Sequence, residues 1–592
     1  VQVRRMIHTV LAEIGRVYPQ ALVYSLTVAA KSQNVSRRTS ATALLDKLRS
    51  HSAMLIDEAV TISTELIRVA ILWEEQWYQG LEEASRMYFG AQNVPPMLAI
   101  LDPLHALLDR GPETPREHAF VKAYGDDLTE ARELCKRYKK SGNMADVAAA
   151  WDIYYQVFRR INKALPMITT VDLEQASPKL AALRDISLAV PGTFTVNEGV
   201  VRIARINPKL HVISSKQRPR KLVFNGSDGK VYKFLLKGHE DLRQDERVMQ
   251  FFGLMNTLLE GDVETRKRHL SIQRYAVIPL SQNSGLIGWV EECDTMHTLI
   301  KDYRDARGIQ LSLEHRLMLQ MAPDFDHLTR LQKVEVFTFA MRNSDGDDLS
   351  RVLWLKSKGG AEDWLDRRTM FIRSTAVMSM VGYGLGLGDR HPSNLMIDRL
   401  SGKIVHIDFG DCFEVAMLRS KFPERVPFRL TRMMQKALGA SGVEGTYRVT
   451  CQHTMRVMRE NKDSLMAVLE AFIYDPLINW RLLSHSNPYD HADCLSFVRP
   501  SMANAFTTLD TMQDFSLVKK RLSKNDNHHM DDTVHSGALN ALTRVISKLN
   551  GRDFYTTNAT SSTVDEQVDL LIREATSIEN LCQAYVGWCS FW

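Results

Sequence analysis

Three polar residues in the second half of the chain have the side chains and the spacing to hold a metal ion and to move a proton. Asp389 precedes Asn394 by five residues in the stretch GLGDRHPSNLMID at 386–398, and Asp408 opens the tripeptide Asp-Phe-Gly at 408–410. An amide oxygen and a carboxylate are hard ligands that suit Mg²⁺, which also keeps phosphate and water oxygens. A second carboxylate beside them could accept a proton from a hydroxyl. The set therefore suits phosphoryl transfer.

Two short apolar runs connect these residues. The runs LMID at 395–398 and KIVHI at 403–407 have strand character, and the segment 399–402 between them reads as a turn. Such a hairpin would bring Asn394 next to Asp408. Asp389 and Asn394 are separated by the same number of residues as the Asp and Asn of the catalytic loop of protein kinases. His391, however, follows the arginine instead of preceding it. A lone Asp-Phe-Gly often occurs by chance, but a loop, a hairpin and this tripeptide together favour phosphotransfer.

An upstream β-rich region supplies a candidate phosphate-binding lysine. The stretch RKLVFNGSDGKVYKFLLKG at 220–238 predicts a β-hairpin around its Asn-Gly and Asp-Gly turn, with Lys237 near the end of the second strand. Glu240 and Asp245 follow at the start of a helical run, where an acidic cluster could hold the ammonium in register for phosphates. The region has no G-x-G-x-x-G loop. Ser214 and Ser215 in HVISSKQRP could offer backbone N–H and hydroxyl groups instead.

The composition limits the class of protein. A chain of 592 residues is too long for one core and should hold roughly three to four domains. A net charge of +5 among 75 basic and 70 acidic residues predicts no nucleic-acid partner. Seven cysteines without a Cys-x-x-Cys pair indicate a reducing compartment, cytosolic or nuclear, and neither a disulfide framework nor a zinc module. No apolar run approaches the ~18 residues of a membrane-spanning helix.

The elements that must position the candidate residues predict an α+β, mostly helical fold with two lobes, a small β-rich one and a larger helical one. The first residues, VQVRRMIHTV, lack an initiator methionine and read as mid-helix, so we expect further helical repeats upstream. The polar stretch with paired histidines at 528 and 529 fits no recognised metal site.

The predicted regions are the end of an α-helical repeat array at 1–64, a four-helix bundle at 65–163, the β-rich lobe at 164–290, the helical lobe at 291–560 with a variable insertion at 484–560, and a tail at 561–592.

Several motifs resemble the phosphatidylinositol-kinase-related protein kinases. They are FLLKGHEDLRQDERVMQ, GLGDRHPSNLMIDRLSGKIVHIDFGDCFE, VPFRLTRMM and the terminal LCQAYVGWCSFW, which is similar to a FATC tail. The bundle sequence ELIRVAILWEEQWYQGLEEASRMYFG resembles the rapamycin-binding (FRB) domain, which narrows the match to the target-of-rapamycin kinases, and residues 1–64 would then end a FAT region. The resemblance implies a Ser/Thr protein kinase that uses ATP and Mg²⁺ in nutrient and growth signalling.

The resemblance also assigns roles to individual residues. Asp389 would be the catalytic base, and His391 would orient the substrate or stabilise the transferring phosphoryl group. Lys237 would contact an ATP phosphate and pair with Glu240, while Asn394 and Asp408 would hold Mg²⁺. The remaining residues of the ATP pocket would be Ser214, Ser215, Asp245, Tyr275, Trp289, Val290, Met396 and Ile407.

An aromatic stripe marks the last helix of the bundle. Trp151, Tyr155 and Phe158 share one helix face, a pattern that most often belongs to a core. The resemblance to the FRB domain implies instead a groove that recruits protein substrates and binds rapamycin presented by an immunophilin. Leu81, Ser85 and Phe89 would form its opposite wall.

The resemblance further implies partners and a location. Residues 305–346 are similar to an insertion that docks a small WD-repeat β-propeller subunit, although the residues alone fit an amphipathic helix pair equally well. Large scaffold subunits of the Raptor or Rictor type would bind the upstream region. The location would be cytoplasmic and peripheral on vacuolar or lysosomal membrane. In the tail, Cys582 and Cys589 would share a helix face two turns apart, as reduced thiols or as a redox-sensitive pair.

Two other functions must be weighed. A phosphoinositide lipid kinase would share the catalytic motifs, but it should carry an excess of basic residues after Asp-Phe-Gly to meet inositol phosphates. A silent scaffold should have lost one of Lys237, Asp389, Asn394 and Asp408, and all four are present. The segment 411–426 balances three basic residues against three acidic ones, which favours a protein substrate: Arg419, Lys421 and Arg425 against Asp411, Glu414 and Glu424.

Overall fold

The structure is a computed structural model that describes residues 2–90, 93–419, 422–474, 536–554 and 561–592. The chain divides into two units. Unit 1 comprises residues 1–246 and 275–289, and unit 2 comprises residues 247–274 and 290–592. Among the described residues, no helix has both the length and the apolar character that crossing a membrane requires.

Unit 1 begins with three helices, of which the second and third pack against its sheet. They are α1 (Gln2–Val17), α2 (Pro19–Ala30) and α3 (Val35–Ala70). Pro19 occupies the first turn of α2, where its missing N–H costs no hydrogen bond, and the side chain of Asn34 accepts the Arg37 N–H (3.1 Å) at the start of α3. Helix α3 runs without interruption across residue 64, where the sequence places a domain boundary.

A four-helix bundle follows directly. Its helices are α4 (Trp73–Ser85), α5 (Val94–Arg110), α6 (Pro115–Ser141) and α7 (Met144–Ala164). The sequence predicts the breaks between them, because YFGAQNVPPM, LDRGPETPRE and KKSGNMAD carry the glycines and prolines that end and restart helices. Thr114 accepts the N–H of Glu117 (3.3 Å) before α6, and Gly142 ends that helix with a left-handed φ of 69°. The bundle has its own apolar core around the buried indole of Trp77.

The rest of unit 1 is a seven-stranded sheet with two short helices. The strands are β1 (Thr170–Asp172), β2 (Ile203–Ile206), β3 (Lys209–Val212), β4 (Arg220–Gly226), β5 (Val231–Gly238), β6 (Val277–Ser281) and β7 (Ser284–Gly288); the helices are α8 (Leu173–Ala176) and α9 (Pro178–Ala182). The strands pair antiparallel in the order β1-β3-β4-β5-β7-β6, with β2 also on β4. Asn225 lies opposite Val231, which confirms the predicted β4–β5 hairpin.

Alternate residues of the central strands are buried against α3, which forms the main core of unit 1. Burying such side chains stabilises by roughly 1.5–3 kcal/mol each. The members from α3 and from β4 and β5 are Ile62, Leu66, Val69, Leu222, Phe224, Phe234 and Leu236.

Unit 2 is mainly helical. Its elements after α10 (Arg243–Gly261) are α11 (Val263–Lys267), β8 (Cys293–Thr295), α12 (Met296–Ala306), α13 (Leu313–Met321), α14 (Arg330–Arg342), α15 (Asp348–Leu355), α16 (Ala361–Leu385), β9 (Leu395–Asp398), β10 (Ile404–His406), α17 (Arg432–Ala437), α18 (Thr446–Glu460), α19 (Lys462–Tyr474), α20 (Ser536–Leu549), α21 (Val564–Thr576) and α22 (Ile578–Leu581). Strands β8, β9 and β10 form an antiparallel sheet. The last three turns of α16 are buried on every side, so this part of the helix lies in the core of unit 2.

The helix pair α13 and α14 is fixed to unit 2 by buried charges. Arg304 is only 1% exposed, and its guanidinium donates to both carboxylate oxygens of Glu314 (2.9 and 2.6 Å) and to Asp348 (2.9 Å). Arg432 donates to the carbonyl of Met341 (2.7 Å) in the last turn of α14 and to that of Ser344 (2.8 Å) just after the helix. The segment 305–346 is therefore a helical insertion that Arg304 and Arg432 fix to the rest of unit 2.

The tail turns sharply after α22. This helix ends at Leu581, and Cys589 has a left-handed φ of 51°. The expectation that Cys582 and Cys589 share one helix face is wrong, because the helix ends before the first of them.

Part of the predicted variable insertion belongs to the core of unit 2. Residues 484–535 and 555–560, which include the paired histidines, lie outside the described residues, but α20 packs with Leu542, Val545 and Leu549 buried. Lys548 on α20 donates to Glu414 (2.7 Å) and to the carbonyl of Tyr383 (2.8 Å).

Arg544 on α20 completes this network. Its guanidinium donates twice to Glu414 (3.0 Å each) and also to Asp553. Glu414 follows Asp-Phe-Gly in the sequence, so α20 holds the segment after that tripeptide by charge.

We expect Arg544→Met to destabilise unit 2 by about 3–5 kcal/mol, because it leaves the carboxylates of Glu414 and Asp553 without their guanidinium. The thermal transition of unit 2 should fall by several degrees in calorimetry. The matched control is Asn540→Ala at an exposed position of the same helix, which should leave the transition in place. Equal transitions for both variants would contradict the role of α20.

Candidate active site

The candidate catalytic loop begins where α16 ends. Gly386 has a left-handed φ of 63°, and a Cβ there would lie 2.6 Å from the backbone nitrogen of Glu414. Only glycine fits such a position without strain. Two residues on, the N–H of Gly388 donates to the carbonyl of Asp411 (3.0 Å). The loop therefore starts in close contact with the segment that follows Asp-Phe-Gly.

Asp389 and Asn394 are held to each other through the backbone. The side-chain NH₂ of Asn394 donates to the carbonyl of Asp389 (3.0 Å), which turns the oxygen of that amide the other way. Asp389 itself has a left-handed φ of 55°, and its N–H donates to both carboxylate oxygens of Glu424 (2.9 and 3.0 Å). Such strained positions persist only where the surroundings fix them, and they cluster at functional sites.

Strands β9 and β10 form the predicted hairpin. Met396 lies opposite Val405, and the N–H of Ile407 donates to the carbonyl of Asn394 (3.1 Å). Asn394 is therefore directly beside the residue that precedes Asp408, and the prediction of this hairpin is confirmed. Asp408 is exposed and has a left-handed φ of 60°. The amide oxygen and the carboxylate are hard oxygen ligands, so these residues fit Mg²⁺.

Arg390 joins the loop to the Asp-Phe-Gly strand. Its guanidinium is buried and donates to the carbonyls of Gly388 (2.7 Å), Ile407 (2.9 Å) and Asp408. It also lies 5.4 Å from the ring centroid of Phe409. Sequence reasoning did not assign this residue a role, although its place between Asp389 and His391 was a signal.

Glu424 and Arg429 are two further residues that sequence reasoning missed. Arg429 is buried and donates to the carbonyl of Arg390 (3.2 Å) and to those of three tail residues: Trp588 (2.7 Å), Cys589 (2.6 Å) and Trp592 (2.7 Å). Burial lowers its pKa to about 10, so it stays charged at neutral pH. Neither residue forms a local pattern with the loop, and although Arg429 belongs to the motif VPFRLTRMM, that motif alone does not indicate which backbone carbonyls it contacts.

His391 adopts one tautomer when neutral. Its Nδ1 accepts the N–H of Ser393 (3.2 Å), so the ring proton lies on Nε2. Burial lowers the pKa of His391 below its usual value of 6.5, while the carboxylate of Asp389 opposes that shift. The neutral ring can therefore donate a hydrogen bond through Nε2 at pH 7.

The pH dependence of turnover follows from this shift. If the neutral ring is the active form, the activity that depends on His391 should be complete at pH 7 and fall only below 6.5, as the ring takes up a proton. The pH profile of kcat/KM measures this, with His391→Gln as the variant that should lose that acid limb. An acid limb of the wild type that His391→Gln removes and that has its midpoint above pH 6.5 would contradict the assignment.

In unit 1 the structure pairs the candidate phosphate lysine with its carboxylate. Lys237 lies on β5 opposite Gly285 of β7, and its Nζ is 3.0 Å from Glu240. Asp245 is buried in the first turn of α10, and Tyr275 is half-buried before β6. Trp289 follows β7, where its N–H donates to the carbonyl of Lys233 (2.9 Å).

The remaining predicted residues occupy loops and strands. Ser214 and Ser215 are exposed in the loop 213–219 between β3 and β4. In unit 2, Val290, Met396 and Ile407 are half-buried. The structure thus gathers Lys237 with Glu240 in unit 1, and Asp389, Asn394 and Ile407 with Asp408 in unit 2.

Two of the predicted groove residues of the bundle, Phe89 and Trp151, are in direct contact. The ring of Phe89 lies 5.6 Å from that of Trp151, edge to face, and Phe158 stacks on Tyr78 at 4.9 Å. Trp151 and Leu81 are buried, Ser85 is half-buried, and Phe89 and Tyr155 are 62% and 52% exposed. Of the six predicted groove side chains, two are therefore buried and two carry exposed aromatic rings.

Family models match three parts of the chain. A model described as phosphatidylinositol 3- and 4-kinase matches residues 231–482, one described as the FKBP12-rapamycin binding domain matches residues 65–163, and one described as the FATC domain matches residues 561–592.

Similar proteins cover the whole chain. It is 56% identical to the serine/threonine-protein kinase mTor of Drosophila melanogaster and 54% identical to the serine/threonine-protein kinase TOR of Oryza sativa subsp. japonica, over 100% of this chain and over 24% and 25% of those proteins. The chain thus spans about a quarter of the length of these relatives.

A solved structure described as the FAT and kinase domain of CtTel1 has a TM-score of 0.63 at 21% identity and covers all of this chain and 33% of that one. This likeness confirms the predicted fold class. Together, the three family models and the identities over the whole length confirm the resemblance inferred from the motifs. The chain belongs to the target-of-rapamycin family of phosphatidylinositol-kinase-related kinases.

Proposed function

We propose that the chain is the catalytic part of a Ser/Thr protein kinase of the target-of-rapamycin type, which transfers the γ-phosphoryl group of ATP to protein hydroxyls in nutrient and growth signalling. The observation that carries the proposal is the joining of Asp389, Asn394 and Asp408 by one loop and one hairpin. The names of the similar proteins support it.

The residues have distinct roles in the proposed reaction. The carboxylate of Asp389 takes the proton of the attacking hydroxyl, and the neutral ring of His391 donates its Nε2–H to the hydroxyl or the phosphoryl oxygens. Lys237 contacts a phosphate, and Glu240 keeps its ammonium in place. Mg²⁺, held by Asn394 and Asp408, would neutralise phosphate charge when bound. Such positioning and charge stabilisation are the main contributions that a protein makes to phosphoryl transfer.

The remaining residues of the proposed ATP pocket have the roles that family membership implies. Trp289 and Val290 would contact the adenine, Met396 and Ile407 would form the floor, and Ser214 and Ser215 would contact phosphate. Asp245 and Tyr275 would line its inner part.

The proposed acceptor is a protein hydroxyl, and the alternative is a phosphoinositide. The family model over residues 231–482 is described by a lipid-kinase name, whereas the relatives are named protein kinases. After Asp-Phe-Gly, Arg419 forms an ion pair with Asp411 and Glu414 pairs with Arg544, while Lys421 lies outside the described residues. A basic side chain already paired with a carboxylate is a poor clamp for an inositol phosphate, which supports the protein substrate.

We also propose roles for two accessory surfaces. The groove of Leu81, Ser85, Phe89, Trp151, Tyr155 and Phe158 recruits protein substrates and binds rapamycin presented by an immunophilin. The insertion 305–346 docks a WD-repeat β-propeller subunit, which its exposed apolar side chains Leu319, Met321, Leu331 and Phe339 support.

The remaining proposals rest on family membership alone. Scaffold subunits of the Raptor or Rictor type bind upstream of the chain. The protein is cytoplasmic and peripheral on vacuolar or lysosomal membrane.

The proposed function is tested by incubating the protein with Mg²⁺ and labelled ATP, either with a Ser/Thr peptide or with phosphatidylinositol vesicles. We expect the wild type to label the peptide, and Asp389→Asn to lose at least about 100-fold in kcat, because it removes the general base. Asparagine tolerates a left-handed φ as aspartate does, so the loop should keep its conformation.

Two outcomes would contradict the proposal. Labelled lipid together with unlabelled peptide would overturn the protein substrate. Equal labelling by the wild type and by Asp389→Asn, at equal thermal stability, would overturn the role of Asp389.

A further inference from the structure

The loop that carries Ser214 and Ser215 is anchored at its base and not at its tip. Residues 214–217 are exposed, whereas Arg220 is completely buried where the loop enters β4. The N–H of Ile213 donates to the carbonyl of Pro219 (2.9 Å), which closes the base. Arg218 has a left-handed φ of 48° at the point where the chain turns back. An arginine in this conformation needs contacts that hold it there.

Those contacts come from Glu75 in the first turn of α4 and from the backbone of Ile168 after the bundle. The Nε of Arg218 donates to one carboxylate oxygen of Glu75 on α4 (3.2 Å), and its Nη2 donates to the carbonyl of Ile168 (2.8 Å). The guanidinium of Arg220 donates to the other oxygen of Glu75 and to the carbonyl of Arg218 (2.7 Å). One carboxylate, itself only 6% exposed, therefore holds both arginines.

Glu75 is also fixed to its own helix. The oxygen that faces Arg220 accepts the N–H of Leu72 (3.0 Å), an orphan donor at the start of α4. The position of the loop base is therefore tied to the junction between α3 and α4. A displacement of this junction would therefore also displace Arg218 and Arg220 at the base of the loop.

The same junction contacts the segment that carries Lys237. A Cβ on Gly238 would lie 2.5 Å from the carbonyl oxygen of Ala70, at the end of α3, so the strand and the junction touch backbone to backbone. His239 follows, and burial lowers its pKa while the carboxylate of Glu75 opposes the shift. Both segments that the proposed function assigns to ATP phosphate thus lie against residues 70–75.

We propose that Glu75 is a positioning residue for the nucleotide phosphates, acting through Arg218 and Arg220 on the loop of Ser214 and Ser215. This inference rests on the proposed function for the identity of the ligand. It means that the bundle does more than offer a groove, since its first helix supports the loop that meets ATP.

The test is the ATP dependence of Glu75→Gln. Glutamine can still accept the Leu72 N–H, so α4 keeps its start while the charge that holds the two arginines is lost. We expect KM for ATP and Kd for ADP, measured by calorimetry, to rise at least about 10-fold, because a misplaced phosphate loop weakens nucleotide binding. KM for the peptide should stay unchanged.

The matched control is Glu74→Gln. Glu74 is the neighbouring carboxylate on α4, but it pairs with Arg116 inside the bundle (2.9 Å), so its loss should leave both nucleotide constants unchanged. Arg218→Gln at the loop base should also raise both nucleotide constants, and the effects of the two single variants should not add fully in the double variant, because the two substitutions share the contact between Arg218 and Glu75.

Wild-type nucleotide constants for a folded Glu75→Gln, or equal rises for Glu74→Gln and Glu75→Gln, would overturn the inference. If Glu75→Gln does not fold, Arg218→Gln decides alone, and unchanged constants for it would likewise overturn the inference. ADP binding is measured without turnover. A wild type that binds ADP but labels no substrate would therefore contradict the proposed function without affecting this test.

Discussion

The buried guanidinium of Arg390 is the interaction on which the candidate catalytic loop depends. It donates to carbonyl oxygens on both sides, that of Gly388 in the loop and those of Ile407 and Asp408 at the Asp-Phe-Gly strand. Backbone carbonyls that face a buried charge from two segments fix those segments relative to each other, because separating them would strand the charge. Asp389 and Asp408 both have left-handed backbone conformations. The hydrogen bonds of Arg390 to the neighbouring carbonyls help to hold the backbone in these conformations.

The candidate catalytic loop is connected to the last residues of the chain through Arg429. Arg429 binds the carbonyl of Arg390 on one side and three tail carbonyls on the other, so the tail supports the loop through one side chain. Helix α20 holds Glu414, in the segment after Asp-Phe-Gly, through Arg544 and Lys548. Both supports follow the loop by more than a hundred residues. The geometry of the three candidate catalytic and metal-binding side chains therefore depends on segments that have no proposed role in the reaction.

The sequence predicts the elements whose information is local. The β9–β10 hairpin follows from two apolar runs around a turn, the β4–β5 hairpin from an Asn-Gly and Asp-Gly turn, and the bundle from its glycines and prolines. Glu424 and Arg429 could not be predicted, because their partners lie far away in the sequence and a lone charge looks the same whether solvated or buried. Helix α20, with its buried face, lies in the region predicted as a variable insertion, for which the sequence predicted no element. The prediction for Cys582 and Cys589 is wrong because the helix ends at Leu581.

The central claim is that Arg390 makes Asp389, Asn394 and Asp408 one working unit, and steady-state kinetics of Arg390→Met, with the Mg²⁺ concentration varied, test it most directly. We predict that kcat for peptide phosphorylation falls at least about 100-fold and that the Mg²⁺ concentration for half-maximal rate rises, because misplacing a reacting group by about 1 Å has costs of this size. A folded variant with wild-type kcat and wild-type Mg²⁺ dependence would contradict the account.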